Sequence, residues 1–143
     1  MAGGSTASRT ADDLVLLVGR VAVGVIFLQN SLGQLAALSG FEANLASRGV
    51  PLPFVFAVIG VAVQIICGIL VLTGLRTREA SLMLVLFMII ATALSHRYWE
   101  LPEATRRGQE LHFFKNVSIV GGLLLLFVGG PGGLSLDALF CRK

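Results

Sequence analysis

The sequence predicts an all-α fold, a transmembrane four-helix bundle, on three observations. Hydrophobic residues make up 55% of the 143 residues and charged residues only 13%, whereas about a quarter of the residues of a soluble domain are charged. The mean hydropathy is +0.86. The apolar residues form four segments without the alternation of barrel strands, and because backbone groups in lipid must bond internally, helices are expected.

Each apolar segment is expected to form one helix, since roughly 20 helical residues cross a hydrocarbon layer of about 30 Å. The first two segments are long enough to span it, while the third and fourth need their polar ends at the interface. The four predicted helices cover about Leu14–Leu38, Phe54–Leu75, Ala80–Trp99 and His112–Val128.

The predicted helices form a single domain, 14–130, between a mobile N-terminal segment, 1–13, and a short C-terminal tail, 131–143. Ala11-Asp12-Asp13 is expected to supply an N-cap and an acidic first turn for the first helix. These acidic residues and the length of the apolar run favour an uncleaved anchor over a signal peptide.

The connections between the helices predict the topology. Thr73–Arg78 is a tight turn, whereas 39–53 and 100–111 are longer and polar. The two longer loops therefore share one membrane face, opposite both termini. Lys and Arg are almost equally divided between the faces when Arg142 and Lys143 are counted, and the basic residues of the short turn favour cytoplasmic termini.

The net charge and the cysteines exclude several classes of function. A net charge of +3 in a membrane protein indicates contact with the anionic headgroups of the lipid bilayer, and no basic patch with interleaved aromatic residues indicates a nucleic-acid partner. Cys67 and Cys141 form no CxxC pair, so thiol–disulfide relay chemistry is not expected.

The first helix carries polar residues within an apolar run. A guanidinium at Arg20 must either extend to the interface or find a buried partner, such as a hydroxyl or backbone carbonyl of the second or third helix. Steps of three or four residues from Arg20 lead to Gly24, Phe27, Ser31 and Gln34. This face is expected to point into the bundle.

The second helix carries one amide, Gln64, between Gly60 and Gly68. Small residues at this spacing let helices approach closely, and polar residues bond across the interface. Gln64 is therefore expected to contact Gln34 or Asn30 of the first helix. A structural amide contact is favoured over a ligand or proton site, because amides do not titrate.

A third polar group lies where the third helix ends and the fourth begins. His112, Lys115 and Asn116 share one helical face by their spacing, and His96 can reach them. These side chains can bind an anionic headgroup, a carboxylate or a quinone carbonyl. The candidate ligand-binding residues are His96, Trp99, His112, Phe113, Lys115 and Asn116.

The same residues have a second interpretation. Trp99 or Phe113 can pack against a quinone ring in a binding site, but aromatic and basic residues at helix ends are also typical anchors at the membrane interface. Two histidines without a cysteine or carboxylate set fall short of a metal site. No catalytic residues are identified, and bound lipid or quinone is the only cofactor considered.

Several short motifs resemble the DoxX family of small bacterial membrane proteins. They follow one another from Leu14 to Asp137 and read GRVAVGVIFL, ASRGVPLP, GLRTR, HRYW, HFFKN, GGLLLL and LSLD. The resemblance implies four helices in the bacterial inner membrane and association with oxidoreductase systems, including quinone-linked thiosulfate oxidation and oxidative-stress complexes. The retained polar positions that it implies are Arg20, His96, Trp99, His112, Lys115 and Asn116.

The resemblance also implies a charge change in the core. In the DoxX pattern a lysine often stands at the position of Gln34 and a glutamate at that of Gln64. Losing only one of the two charges would leave the other buried and unpaired, at a cost of perhaps 3–5 kcal/mol, whereas losing both avoids that cost. The two amides are therefore interpreted as a neutral replacement for an ion pair.

Two functions follow. The leading prediction is a non-catalytic accessory or assembly subunit of a larger energy-converting membrane complex, either respiratory or photosynthetic, with other membrane protein subunits as partners. The alternative is a quinone- or lipid-binding component of a membrane oxidoreductase system, with its site around His96, His112 and Lys115. Solute transport is disfavoured because the spans contain few ionisable groups and no break.

Overall fold

The structure, a computed structural model, describes the backbone of residues 3–141 and the side chains of residues 9–140. This part of the chain contains helices and no β-strand, so the predicted all-α membrane fold is confirmed. Four long helices form the bundle. The helices are α1 (Gly3–Ala36), α2 (Leu38–Ser47), α3 (Pro53–Thr73), α4 (Thr77–Ser95), α5 (Glu103–Gly129) and α6 (Leu136–Cys141).

The long helices have the dimensions of membrane spans. Within the described residues, three stretches are long and apolar enough to cross a membrane: α3, α4 with the turn that follows it, and α5. Helix α1 is 34 residues long, and its apolar run begins at Leu14. The composition of the chain and these helices together describe an integral membrane protein.

Helix α1 packs chiefly against α3, α3 against α4, and α4 against α5. The first contact is close, because a Cβ built on Gly24 would lie 3.1 Å from the carbonyl oxygen of Gly68. Small residues allow this approach of backbone to backbone. The buried core between the helices consists of Phe27, Cys67, Val71, Ala80, Leu84, Val85, Met88, Leu123 and Leu126.

The predicted tight turn between α3 and α4 depends on Gly74. This residue ends α3 at φ 75°, and Leu75 N–H donates to the Leu70 carbonyl at 3.0 Å, which is the helix-ending pattern that glycine favours. A Cβ at Gly74 would overlap Nη1 of Arg20. The turn therefore requires glycine both for its backbone conformation and for space.

The bundle has two different ends. The open end contains residues 37–53 and 96–102, which connect α1 to α3 and α4 to α5. The closed end contains residues 74–76 and 130–141, where Asp137 N–H donates to the Gly74 carbonyl at 3.1 Å. The long connections thus lie together, opposite the α3–α4 turn, as the segment order predicts.

The helix limits differ from the prediction at the N-terminus. Helix α1 begins at Gly3 rather than at an N-cap in Ala11-Asp12-Asp13. The Asp13 carboxylate instead accepts a hydrogen bond from Gly133 N–H at 2.5 Å, so it connects α1 to the C-terminal segment. Residues 1–2 of the predicted mobile segment lie outside the described residues. Arg142 and Lys143, which were counted when the basic residues were divided between the membrane faces, lie outside them as well.

Two connections predicted to be loops contain helix. The polar connection 39–53 contains most of α2, and α5 begins at Glu103 rather than His112. In contrast, α4 ends at Ser95, and Trp99 lies in a 3-10 turn. Hydropathy marks only the part of a helix that lies in lipid, whereas polar helical turns can continue into water, so these limits could not be read from hydropathy.

Candidate functional site

A cavity of about 490 Å³ opens between the helices at the open end. Helices α1 to α5 all contribute to its wall, and most of the lining side chains are apolar. Its volume is in the range of small-molecule binding sites, which are typically apolar with a few polar groups. The apolar wall includes Ile26, Phe41, Leu45, Val63, Phe87 and Ile119.

Two histidines meet at the mouth of this cavity. The rings of His96 and His112 stack with their centroids 5.5 Å apart and their planes at 24°. His96 Nδ1 lies 2.7 Å from Gln109 Oε1. An amide oxygen only accepts, so Nδ1–H is the donor of this bond and Nε2 is left for another partner. The structure thus brings together the two imidazoles that the sequence placed at facing helix ends.

Lys115 and Asn116 lie about one turn along α5 from His112, and both line the cavity. The Lys115 side chain is exposed. Asn116 is buried, and its Nδ2 donates to Thr92 Oγ1 at 3.0 Å, which joins α5 to α4. None of the described residues that line the cavity is acidic, and Lys115 gives the mouth a positive charge.

The amides in α1 and α3 are hydrogen-bonded to each other. Gln64 Nε2 donates to Gln34 Oε1 at 2.7 Å and to the Gly60 carbonyl at 3.2 Å. Gln64 is only 2% exposed, and both glutamines line the cavity. Asn30 also lines it but is exposed and does not take part in this contact.

Trp99 and Phe113 lie outside the cavity, which differs from the predicted role against a ligand ring. Their rings pack edge to face with centroids 6.1 Å apart, in a cluster with Tyr98 and Phe114. Phe113 follows His112 directly and so points about 100° away around the helix. The cluster has the composition of an interfacial aromatic belt.

Arg20 lies at the closed end, away from the cavity. Its side chain is fully buried, with 0% exposure, and Nη2 donates to the Leu134 carbonyl. Within the described residues, Nε and Nη1 have no hydrogen-bond partner, and Asp137 lies close enough to interact electrostatically. Of the two alternatives, the structure has the buried partner, but that partner belongs to the C-terminal segment rather than to a neighbouring helix.

The sequence did not reveal the contribution of α2. Phe41 and Leu45 face the cavity from this helix, and their spacing of four residues is the signal that could have identified it. Arg48 fastens its end, because Nη1 donates to the carbonyls of Leu94 at 2.8 Å and Ser95 at 3.2 Å. Helix α2 therefore forms part of the wall instead of a free loop.

The described residues contain no group of three His, Cys, Asp or Glu side chains that could hold a metal ion. The polar side chains among the described residues that line the cavity are amides, imidazoles, an amine and the Ser95 hydroxyl. Such groups can bind anions, carbonyls and hydroxyls by hydrogen bonds, and none of them is placed as an activated nucleophile with a base and an orienting carboxylate.

Comparison with known proteins identifies the family. Residues 44–141 match the model of the SURF4 family. The chain is 32% identical to the inner membrane protein YphA of Escherichia coli over 127 residues, which cover 89% of this chain and 91% of YphA. It is 30% identical to the inner membrane protein YqjF of Escherichia coli over 135 residues, covering 92% and 96%.

A eukaryotic relative matches over a shorter range. The Surfeit locus protein 4 homolog of Drosophila melanogaster is 34% identical over 71 residues, which cover 48% of this chain and 26% of the relative. No solved structure matches the chain.

These matches show that the resemblance to the DoxX family is wrong. The motifs behind it combine glycines, basic residues and aromatic residues at helix ends, a pattern that the membrane interface favours in many unrelated proteins. The implied oxidoreductase association and the inferred replacement of an ion pair at Gln34 and Gln64 no longer have support from a family pattern. The chain belongs to the SURF4 family.

Proposed function

We propose that this protein binds a membrane amphiphile, a molecule with a hydrocarbon tail and an anionic headgroup, in the cavity at the open end. One observation carries the proposal: a single cavity joins a long apolar wall to a basic mouth formed by His96, His112 and Lys115. A ligand with the same division into apolar and charged parts complements both regions. The proposed activity is binding without a chemical step.

The apolar wall holds the hydrocarbon tail but does not by itself account for the proposed affinity. Removing apolar surface from water contributes roughly 25 cal/mol per Å², but a tail already dissolved in lipid gains little from this effect. Affinity in the membrane then depends on packing against aromatic side chains such as Phe41 and Phe87, and on the headgroup contacts. The headgroup is therefore expected to determine selectivity.

The basic mouth supports an anionic headgroup. Lys115 has no ion pair with any described residue, and no carboxylate lines the cavity. Hydrogen bonds between an ammonium or imidazole and a charged oxygen are roughly twice as strong as neutral ones. A carboxylate or a phosphate satisfies this site, whereas a quinone carbonyl carries no charge to match Lys115.

The membrane location follows from the relatives. YphA and YqjF are named as inner membrane proteins, which supports the bacterial inner membrane for this chain as well. The basic residues Arg76 and Arg78 in the shortest connection favour an orientation with both termini in the cytoplasm. In this orientation the open end faces the other side of the membrane.

The accessory-subunit function predicted from the sequence has less support. The names of the three relatives mention no energy-converting complex, and the prediction drew on oxidoreductase associations that the DoxX resemblance implied. Other membrane protein subunits as partners are compatible with amphiphile binding but are not required for it. Purification from native membranes in mild detergent, with identification of all bound proteins and lipids, separates the two.

The binding proposal is tested with a photoactivatable stearate in lipid nanodiscs. We expect saturable labelling of the protein that is competed by unlabelled stearate and by a stearoyl lysophosphatidate, but weakly by octadecanol, which lacks the charge. Comparison of the first two competitors distinguishes a carboxylate from a phosphate ligand. Labelling that is not saturable, or equal competition by octadecanol, contradicts the proposal.

Lys115→Gln provides the residue-level test. The exchange keeps hydrogen-bonding ability but removes the charge, so we expect the apparent affinity for stearate to fall at least about tenfold, the effect of losing a charged hydrogen bond. Arg107→Gln is the matched control, because Arg107 is an exposed cation of α5 that does not line the cavity. Equal affinities of the two variants contradict the assigned headgroup site.

A further inference from the structure

The pair formed by Gln34 and Gln64 leaves hydrogen-bonding groups without partners. Both N–H groups of Gln64 are used, one by Gln34 Oε1 and one by the Gly60 carbonyl. Gln64 Oε1 therefore remains as a free acceptor, and Gln34 Nε2 as a free donor. Among the described residues, no hydrogen bond to either atom is present.

These free groups belong to the wall of the cavity. Gln64 is 2% exposed, and the two glutamines and Phe27 line the same space as His112 and Lys115. The Gln64 oxygen is not completely buried and retains some exposed surface. Both glutamines thus present polar atoms at the cavity wall.

Gln64 lies deeper in the bundle than the basic mouth, and its partner Gln34 lies two residues before the end of α1. Gln64 is near the middle of α3 (Pro53–Thr73), about 15 Å from each end of that helix at a rise of 1.5 Å per residue. His96, in contrast, directly follows the last residue of α4. The cavity thus has two polar regions, one at its mouth and one beside the middle of α3, with apolar wall between them.

An unpaired donor and an unpaired acceptor at this depth are costly. A buried polar group without a hydrogen bond costs more than the bond itself would contribute, and in hydrocarbon few alternatives exist. A purely structural role explains the hydrogen bond that joins α1 to α3. It does not explain why a free donor and a free acceptor lie side by side at an apolar cavity.

We propose that the Gln34–Gln64 pair recognises a hydroxyl group within the hydrocarbon part of the bound amphiphile. This inference rests on the proposed function, because it concerns the same cavity. A hydroxyl donates one hydrogen bond and accepts another, which complements Gln64 Oε1 and Gln34 Nε2 together. A keto oxygen complements only Gln34, and a methylene complements neither. The ligand class is thus a hydroxylated acyl chain with an anionic headgroup.

The test compares stearate with hydroxystearates and oxostearates whose oxygen is moved along the chain. Competition against the photoactivatable stearate in nanodiscs gives their relative affinities. For wild-type protein we expect one chain position at which the hydroxyl improves the affinity about five- to tenfold over stearate, the effect of one or two net hydrogen bonds. The oxo compound at that position is expected to gain less.

The variant test uses Gln64→Met, which keeps the length of the side chain and removes the amide. We expect the affinity ratio of the best hydroxystearate to stearate to fall to about one. Gln29→Met is the matched control, since it removes an exposed amide from α1 that does not line the cavity, and it should keep the wild-type ratio. If Gln64→Met does not remain folded, Gln34→Met gives the same comparison from the other partner.

The outcomes separate the two proposals. If wild-type protein binds neither stearate nor its derivatives, the proposed function fails. If stearate binds but no hydroxyl position improves the affinity, the hydroxyl inference is wrong while the proposed function stands. The inference is also wrong if the ratio persists in Gln64→Met, since the selectivity then comes from elsewhere in the cavity.

Discussion

The two ends of the bundle differ in the burial of their polar side chains. At the closed end, Arg20 is fully buried against Gly74 and Leu134, and the C-terminal segment covers it. At the open end, His112 and Lys115 are exposed beside a cavity. The closed end is packed so tightly that one added methyl group would overlap a side chain, whereas the open end leaves room for a ligand.

This difference shows how a small membrane protein can combine rigidity and binding. The chain concentrates its close backbone contacts, such as that of Gly24 with Gly68, towards the closed end. Towards the open end the helices enclose the cavity, and Arg48 joins the end of α2 to α4. A buried charge does not by itself indicate a gain in stability. The structural role of Arg20 is to hold α1 and the C-terminal segment together through its bond to Leu134.

The largest effect is expected where a charge enters the buried part of the cavity wall. Gln64→Glu places a carboxylate at a buried position near the middle of α3, beside Gln34, so we expect the free energy of unfolding to fall by about 3–5 kcal/mol. Adding Gln34→Lys supplies a partner and should restore most of the loss. Unfolding in mixed micelles with increasing SDS measures both effects.

If Gln64→Glu alone is tolerated, the account of Gln64 as a buried group is wrong, because the amide pair would then lie in a hydrated region. A double variant that is no more stable than the single variant would show that the two side chains do not interact.

A smaller effect is expected at the closed end. Gly74→Ala forces a non-glycine residue to φ 75° and brings its Cβ onto Arg20, so we expect a loss of about 2–4 kcal/mol. Gly108→Ala is the control, since a Cβ there meets nothing within 4 Å and alanine favours the helix. Thermal unfolding in detergent should show a lower Tm for the first variant and an equal or higher Tm for the second. Equal stabilities would mean that the closed end is not tightly packed.

The smallest effect on stability is expected from the hydrogen bond between Asn116 and Thr92. Asn116 and Thr92 form one buried bond between α5 and α4, and such bonds between membrane helices contribute about 0.5–2 kcal/mol. We expect a coupling energy of that size from the cycle of Asn116→Leu, Thr92→Val and the double variant, measured by the same unfolding assay. Ser118→Ala, on the exposed face of α5, should change stability little. Strictly additive losses from the two buried residues would argue against the bond.

The sequence predicted the helices and part of the site from local signals. Apolar segment lengths gave the long helices, and the polar residues inside those segments identified Gln34 and Gln64, because an amide in hydrocarbon needs a partner. The spacing of His112, Lys115 and Asn116 likewise predicted a shared face. In each case the information lies within one helix or in two helices that are neighbours in the chain.

The remaining features depend on contacts between distant parts of the chain. The partner of Arg20 is the carbonyl of Leu134, and a backbone acceptor leaves no mark in the sequence. The sequence left a ligand site and an interfacial anchor open for Trp99 and Phe113, and only the end of α4 and the rotation around α5 place their rings outside the cavity. Helix α2 was missed because its ten residues are too few to span a membrane, and only the spacing of its apolar residues indicates a helix.

The central claim is that the cavity at the open end holds a single amphiphile, and mapping the photolabelled residues tests it most directly. After labelling with photoactivatable stearate in nanodiscs, mass spectrometry should find the label on cavity-lining residues such as Phe87 and Ile119, and excess stearate should remove it. Label spread over lipid-facing residues such as Val128 and Leu125, unaffected by excess stearate, would contradict the account.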